Sequence, residues 1–135
     1  CALPICGALP RGDDAHIEKI KFFRKHKFSL CYENSSYPGY VTEKLYYGLY
    51  ARTVPIYWGS PCVELDFNLN SFISRHEFKS DNEMIDYIKF LDNDNEAYHD
   101  ALNSSIIPLQ RTENKYMNLN NFLDWFDGHV FMRDR

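Results

Sequence analysis

The chain has 135 residues, of which 44% are hydrophobic and 16% aromatic, so it can build one packed core but is too short for two well-sized domains. Its formal net charge of −4 excludes a general electrostatic attraction to nucleic acid, so an anion site has to be built locally. The five histidines and four cysteines lack the spacing of a metal site, and the sequence indicates no required metal or other cofactor.

Residues 1–14 form a stretch with two prolines, two glycines and no hydrophobic periodicity, which predicts an irregular lead-in. The sequence does not decide whether Cys1 and Cys6 pair with each other. Two further cysteines, Cys31 and Cys62, lie in or beside apolar segments, where a thiol packs as a small hydrophobic group. We therefore predict that both are buried thiols.

The segment AHIEKIKFFRKH places Ile17, Ile20 and Phe23 or Arg24 at helical spacing, which predicts a short amphipathic helix. Five basic residues accompany this pattern: Lys19, Lys21, Arg24, Lys25 and Lys27. Such a run is typical of a solvated helix face, and contact with phosphate or a membrane surface is the alternative.

A strand, a loop and a second helix follow. The apolar run FSLCYE predicts a buried strand at Phe28–Glu33, and the Asn, Ser, Pro and Gly of NSSYPGY predict a loop at Asn34–Tyr40. Thr42 is a typical N-cap residue, because its hydroxyl can accept a hydrogen bond from an unpaired amide of the first helical turn. The helix is predicted at Glu43–Ala51. Its predicted inward-facing residues are Leu45, Leu49 and either Tyr46 or Tyr50.

The run TVPIYWG predicts a second strand at Thr53–Gly59, although Pro55 is unusual in a central strand because it has no amide hydrogen to donate. A third strand is predicted at Phe72–Ser74. The short helix and short connections between the first two strands fit a right-handed crossover, so the sheet is predicted to be mostly parallel, in an α/β fold. Ligands of such sheets bind at the carboxyl ends of the strands.

Two more helices are predicted after the third strand. SDNEMIDYIKFLDND begins at Ser80 or Asp81, and NEAYHDALN continues after a break at Asp92–Asp94. The predicted apolar stripe of the first of these helices consists of Met84, Ile85, Ile88 and Leu91. The acids of DNDNE are interpreted as helix caps and solvated ends rather than as a metal motif. The tail is predicted to be helical as far as Phe126 and to stop at Gly128.

Four polar residues converge on the carboxyl end of the first predicted strand. Asn34 follows the strand, Tyr40 lies in the loop, and Glu43 and Lys44 lie in the first turn of the helix. A helix N-terminus favours phosphate through its unpaired amides and partial positive charge. A cation is unfavourable there unless an anion lies nearby, so Lys44 predicts a phosphate site. Glu43 either suits the helix dipole or accepts hydrogen bonds from sugar hydroxyls.

The stretch KFSLCYENSSYPGYVTEKLYYGLYARTVPIYWGSP closely resembles the donor-binding signature of the α1,3-fucosyltransferases, glycosyltransferase family 10. The resemblance continues through DFNLNSFISRHEFKSDNEMIDYIKFLDNDNEAY and spans about Ile17 to Tyr98. It implies the C-terminal, Rossmann-like half of a GT-B glycosyltransferase. We expect one GDP-fucose-binding domain over residues 1–135, with a lead-in at 1–16, a family-like core at 17–109 and a helical tail at 110–135. The N-terminal acceptor domain is expected to be absent.

Carried over position by position, the resemblance implies that Asn34 and Tyr40 contact the donor, that Glu43 accepts hydrogen bonds from its hydroxyls, and that Lys44 neutralises its diphosphate. It further implies an inverting transfer of fucose from GDP-fucose to the GlcNAc of a lactosamine-type glycan. The general base would lie in the N-terminal domain, so no catalytic residue is expected in this chain. The alternatives are a non-catalytic or nucleotide-sugar-binding remnant, and a transferase that uses another nucleotide sugar.

The same resemblance implies a membrane-associated protein. The wording of SLCYENSS and TVPIYWGSP is closer to bacterial members of the family, which implies the cytoplasm or the inner face of the membrane. A eukaryotic member would lie in the Golgi lumen. The choice between 3- and 4-linkage is expected to depend on the N-terminal domain.

Overall fold

The computed structural model describes residues 15–108. Its helices and strands are α1 (Ala15–Phe23), β1 (Phe28–Tyr32), α2 (Glu43–Tyr50), β2 (Val54–Trp58), β3 (Ile73–Ser74), α3 (Asp81–Asn93) and α4 (Asn95–Asn103). Single turns of 3₁₀ helix lie at Val63–Leu65, Leu69–Ser71 and Arg75–Glu77. The predicted lead-in before residue 15 and the predicted helical tail at 110–135 lie outside the described residues.

The described sheet is parallel and has the strand order β1-β2-β3. Leu30 pairs with Ile56, and Ile56 pairs with Ile73 on the other side. The helix α2 connects β1 to the neighbouring parallel strand β2, which is the β-α-β unit that the sequence predicted. The Rossmann-like α/β prediction is therefore confirmed over the described part of the chain.

Pro55 lies in the central strand of this sheet without breaking a ladder. The amide of Val54 donates to the Lys27 carbonyl on the β1 side, at 2.9 Å. Because neighbouring amides of a strand point to opposite sides, the nitrogen of Pro55 faces the β3 side. Pairing with β3 begins only at Ile56, so no hydrogen bond is required of Pro55 there.

The sheet separates two apolar clusters, as side chains that alternate along β2 require. Residues packed on the α2 face are Cys31, Leu45, Leu49, Tyr57, Val63 and Phe72. Residues packed on the α3 and α4 face are Phe28, Val54, Ile56, Ile73, Met84, Leu91 and Tyr98. The burial predicted for Cys31 is confirmed, whereas Cys62 is only half-buried.

The inner face of α2 differs from the prediction at one position. Leu45 and Leu49 are buried as predicted, but Tyr46 and Tyr50 are 51% and 54% exposed. The third buried residue of the helix is Gly48. A Cβ at that position would lie 2.7 Å from the hydroxyl oxygen of Ser29, so α2 lies too close to β1 for a larger side chain. The tyrosine rings are consequently left on the outside.

Two other predicted apolar faces are only partly correct. On α3, Met84 and Leu91 are buried and Ile88 is half-buried, but Ile85 is 43% exposed. On α1, Phe23 is buried whereas Ile17 is 53% exposed. Short helices that rest on a single surface bury a narrower stripe than their periodicity suggests.

The caps of α3 and α4 are confirmed. The hydroxyl of Ser80 accepts from the Glu83 amide at 3.2 Å, and the carboxylate of Asp94 accepts from the Ala97 amide at 3.0 Å. The acids at the α3–α4 break therefore behave as helix ends, as interpreted from the sequence.

Most of the basic side chains on and after α1 interact with other residues of the chain. Lys21 pairs with Glu18 at 2.8 Å, and Lys27 pairs with Asp92 at 3.1 Å. The cations of Lys19 and Arg24 lie over the rings of Tyr47 and Tyr50, at 5.3 and 5.9 Å from their centres. These contacts support the interpretation of the run as a solvated helix face. Across residues 15–108, none of the helices has the length and hydropathy needed to cross a bilayer.

Candidate functional site

Lys44 lies at the carboxyl end of the strands, as predicted. Glu33 directly follows β1, its amide donates to the Trp58 carbonyl at the end of β2, and its carboxylate lies 2.8 Å from the ammonium nitrogen of Lys44. The side chain of Lys44 is 18% exposed. The first turn of α2 therefore meets the ends of β1 and β2 at one edge of the sheet, where α/β folds bind ligands.

Sequence reasoning missed Glu33, which is the buried centre of this site. Its side chain is 0% exposed. One carboxylate oxygen accepts from the Thr42 amide at 2.7 Å, and the other accepts from the Thr42 hydroxyl at 2.7 Å and from Lys44 at 2.8 Å. The available signal was a carboxylate placed directly after a buried strand, with a cation at the start of the following helix.

Thr42 occupies the N-cap position of α2, but the predicted capping bond is absent. Its hydroxyl donates to Glu33, and no side-chain cap closes the helix. The hydroxyl donates to this charged acceptor, which forms a stronger hydrogen bond than a neutral one, so the Thr42 side chain is oriented toward Glu33 rather than toward the helix amides. The first-turn amides of α2 therefore have no side-chain cap among residues 15–108, and this is the arrangement in which a helix N-terminus receives an anion.

The electrostatics of the Glu33–Lys44 pair keep both groups charged at neutral pH. Burial alone would raise the pKa of Glu33, but the hydrogen bonds from Lys44 and Thr42 outweigh it and hold that pKa below its ordinary value. Burial would lower the pKa of Lys44, but the hydrogen bond and charge of Glu33 raise it above its ordinary value. An ammonium group has three donors, and after the bond to Glu33 and the longer 3.5 Å contact to Thr42 one of them has no partner among residues 15–108.

The loop between β1 and α2 is attached to the end of β2. Gly39 has φ +80°, a left-handed conformation that suits glycine, in a turn closed by the Tyr40 amide on the Tyr37 carbonyl at 3.1 Å. The Gly39 amide donates to the Ser60 hydroxyl at 3.1 Å, and the Tyr57 hydroxyl donates to the Tyr40 carbonyl at 3.4 Å. These bonds fix the loop beside the start of α2.

Gly59 leaves the room that Glu33 occupies. A Cβ at this position would collide with the Tyr57 hydroxyl and with Cγ of Glu33. The carbonyl of Gly59 lies 3.0 Å from Nε2 of His76, which links the end of β2 to the turn after β3. Sequence reasoning assigned no role to this glycine or to His76.

The four predicted site residues surround the same edge in different ways. Lys44 is directed inward, and Tyr40 is half-buried with its ring stacked on Tyr37 at 4.7 Å. Asn34 and Glu43 are exposed. The Asn34 side chain makes no hydrogen bond to any described residue. The donor contacts of all four residues stay predictions.

Cavities of different sizes lie near the sheet in the part of the chain that the structure describes. One of about 350 Å³ opens at the carboxyl edge, on the α3 side, and is lined by Tyr32, Trp58, Arg75 and Asp81. A larger one of about 580 Å³ runs along β3 beneath α3 and α4, away from Lys44. The smaller cavity shares the carboxyl edge with the candidate site, but its lining contains Tyr32 and not Glu33 or Lys44. No group of three or more potential metal ligands occurs within residues 15–108.

Comparisons with known proteins agree with this geometry. Residues 5–121 match the C-terminal part of glycosyltransferase family 10 (fucosyltransferase). The α-(1,3)-fucosyltransferase FucT of Helicobacter pylori is 46% identical over 104 residues, which cover 75% of this chain and 21% of that protein. A crystal structure of an α1,3-fucosyltransferase with GDP has a TM-score of 0.66 and 47% identity, over 67% of this chain and 26% of that one. Another, with GDP-fucose, has the same TM-score and identity over 67% of this chain and 27% of that one.

The chain thus spans about a fifth to a quarter of the length of these relatives. The family match covers well over half of the present chain, and the structural match confirms the expected α/β fold of a C-terminal half. On these grounds the chain belongs to glycosyltransferase family 10, the fucosyltransferases, and corresponds to the C-terminal part of that family.

Proposed function

We propose that this chain is the GDP-fucose-binding half of an inverting α1,3-fucosyltransferase that fucosylates the GlcNAc of a lactosamine-type glycan. The observation that carries the proposal is the start of α2, where first-turn amides without a side-chain cap adjoin the ammonium group of Lys44 at the strand ends. The likeness to an α-(1,3)-fucosyltransferase and to crystal structures determined with GDP and GDP-fucose supports the choice of donor.

In the proposed reaction, the amides and Lys44 bind the diphosphate, Glu43 accepts from donor hydroxyls, and Asn34 and Tyr40 complete the donor contacts. A base in the N-terminal half takes the proton of the acceptor hydroxyl as its oxygen attacks the anomeric carbon of fucose. The bond from that carbon to the β-phosphate oxygen breaks, and its electron pair leaves with GDP. Negative charge grows on the phosphate, where the amides and Lys44 stabilise it.

The proposal extends to partners and location. The acceptor glycan and the N-terminal half would lie across the cleft from the carboxyl edge of the sheet. The likeness to a Helicobacter pylori protein favours the bacterial cytoplasm or inner membrane face over a Golgi lumen. Fractionation of cells that express the intact gene product tests this location, and recovery in the periplasm, the outer membrane or the culture medium would contradict it.

Calorimetric titration of the 135-residue chain with GDP, GDP-fucose, GDP-mannose and UDP-galactose tests donor binding. We expect GDP and GDP-fucose to bind and UDP-galactose not to bind. Tighter binding of another nucleotide sugar would favour a transferase with a different donor, and equal binding of all of them would contradict a site selective for GDP-fucose.

The substitution Lys44→Met removes the ammonium group and keeps most of the aliphatic stem. We expect it to weaken GDP binding by about tenfold or more, which corresponds to about 1.4 kcal/mol. Lys89→Met is the matched control, because Lys89 is 67% exposed and pairs with Asp86 on the surface of α3. If the two variants retain the same GDP affinity as the unaltered chain, Lys44 is not a diphosphate ligand.

A further inference from the structure

Glu33 is a buried carboxylate whose side-chain hydrogen bonds all come from the start of α2. We propose that Glu33 is a positioning residue, which fixes Lys44 and opens the first turn of α2 so that the donor diphosphate can be received. This inference rests on the proposed function and adds a residue to which the donor-site resemblance gives no role.

The burial of the Glu33 carboxylate is energetically unfavourable, and a positioning role would explain why the residue is there. A charged group without solvent exposure loses its hydration, and the paired arrangement often stabilises a fold no more than an apolar side chain of similar size would. Its partners, Thr42 and Lys44, are the N-cap residue and a first-turn residue of the same helix. The carboxylate therefore acts locally, on the geometry of one helix end.

Two consequences for an anionic ligand follow from these bonds. The ammonium group of a lysine ends a flexible four-carbon stem, and the 2.8 Å bond to Glu33 restricts Lys44 to the carboxyl edge of the sheet. The second bond draws the hydroxyl of Thr42 away from the helix, at 2.7 Å, so the first-turn amides keep no side-chain acceptor from that residue. Both effects prepare donors for phosphate oxygens.

Charge alone and positioning predict opposite effects when Glu33 is neutralised. A negative charge beside a diphosphate repels it, so its removal should tighten GDP binding if electrostatic repulsion dominates. Glu33→Gln keeps the size of the side chain but replaces one of its two acceptor oxygens by an NH₂ group, so it cannot accept from the Thr42 amide and from Lys44 on separate oxygens as Glu33 does. If positioning dominates, GDP binding weakens although an opposing charge has been removed.

The test is a double-mutant cycle with Glu33→Gln, Lys44→Met and the combined variant, in which the calorimetric affinity of the 135-residue chain for GDP is measured. We expect Glu33→Gln to weaken GDP binding by about tenfold alone and by clearly less when Lys44→Met is already present, because the part of the effect that passes through Lys44 is then already lost. Unchanged or tighter GDP binding, or an equal loss in both backgrounds, would overturn the proposal.

A second pair of variants covers the case in which Glu33→Gln does not fold, as judged by circular dichroism. Thr42→Val removes the hydroxyl donor and should weaken GDP binding, whereas Thr42→Ser keeps the hydroxyl and should restore it. A further readout is the pKa of Lys44, followed through its Cε resonance, which should fall in Glu33→Gln if the carboxylate holds the ammonium group. An unaltered Lys44 pKa, or equal GDP affinities of the two Thr42 variants, would contradict the inference.

The same measurements separate this inference from the proposed function. If the unaltered chain does not bind GDP, the proposed function fails and the inference fails with it. If the unaltered chain binds GDP and the effects of Glu33→Gln and Lys44→Met are simply additive, the donor site stands and only the positioning role of Glu33 is wrong.

Discussion

Lys44 occupies a position that helix electrostatics disfavour for a cation, namely the first turn of α2. This position predicted a nearby anion, and Glu33 provides one within the chain itself, at 2.8 Å. The charge of Lys44 is therefore explained in part by an internal partner. The case for a phosphate site depends as much on the first-turn amides as on the ammonium group.

The free energy of unfolding at acidic pH should depend on the protonation of Glu33. Its pKa is lower in the folded protein than the ordinary 4.5, so below that value the unfolded chain binds more protons than the folded one. The contribution of Glu33 is fully present above pH 4.5 and is lost as the pH falls through the folded pKa. Urea denaturation at a series of pH values from neutral to acidic should therefore show the free energy of unfolding falling in this range.

The control for this prediction is Glu33→Gln, which does not titrate. Its free energy of unfolding should fall less steeply with acidification than that of the unaltered chain. Parallel pH profiles of the two proteins would show that other carboxylates carry the acid sensitivity.

Loss of the Lys44 charge should affect stability as well as binding. Among residues 15–108, Lys44→Met leaves the buried Glu33 carboxylate with Thr42 as its only hydrogen-bond donor. We expect the free energy of unfolding to fall by about 1–3 kcal/mol, below the 3–5 kcal/mol of a fully buried pair because Lys44 is partly exposed. Denaturation with urea measures the loss, and Lys89→Met should stay within about 0.5 kcal/mol of the unaltered chain. Equal stability of the two variants would contradict this assignment.

Elements whose signals are local in sequence could be predicted. The starts of α3 and α4 could be predicted from an N-cap side chain, whose oxygen accepts a hydrogen bond from the amide three residues later. Both capping bonds are present, at Ser80 and at Asp94. The hydroxyl of Thr42 is different, because its acceptor lies nine positions earlier, on the far side of a loop. No rule based on neighbouring residues predicts that the Thr42 hydroxyl donates to Glu33. The part of the site that depends on Glu33 could therefore be found only when β1 and α2 were placed together.

The orientation of α2 also depends on a contact between elements. Its tyrosines have the spacing of inward-facing residues, but the close approach of Gly48 to Ser29 and Pro55 sets which side faces the sheet. Hydrophobic periodicity predicts which residues share one face of a helix, but it does not predict how closely that face approaches the neighbouring sheet.

Gly48→Ala tests that close approach. An alanine favours an isolated helix by about 1 kcal/mol over glycine. Here its Cβ would lie 2.7 Å from Ser29 Oγ and 2.9 Å from both Cys31 Sγ and Pro55 Cγ, so α2 would have to move away from the sheet. Such overpacking costs about 1–3 kcal/mol, and we expect a net loss in the free energy of unfolding measured by urea denaturation. A variant more stable than the unaltered chain would show that α2 has room to move at little cost.

For the molecule as a whole, the order of strands and helices was enough to predict a parallel α/β sheet, because a short helix between neighbouring strands permits few other arrangements. The family resemblance added a predicted location for the donor site. The boundaries of the two-residue strand β3 depend on pairing with β2 rather than on composition. Its predicted bounds were therefore one residue too long.

The chain by itself is expected to bind donor without transferring fucose, since the acceptor half and its carboxylate base are proposed to lie in the N-terminal domain. Incubation with GDP-fucose and N-acetyllactosamine, followed by mass spectrometry, should reveal no fucosylated product. The Helicobacter pylori relative serves as the positive control. A fucosylated product from this chain alone would contradict the division of labour between the halves.

The remnant alternative is separated by the same assay on the longer gene product. Transfer by a protein that contains both halves would exclude the remnant. Donor binding without transfer in that longer protein would favour it.

The attachment of the loop at Gly39 and Tyr40 to the end of β2 has an evolutionary consequence. Ser60 and Gly39 are 21 positions apart, yet one hydrogen bond joins them. A substitution at Ser60 would therefore alter a segment that is proposed to face the donor and that Ser60 does not border in sequence. Homologues that differ at Ser60 should carry compensating differences between Tyr37 and Tyr40, and pairwise covariation between these two short segments would be the trace of that bond.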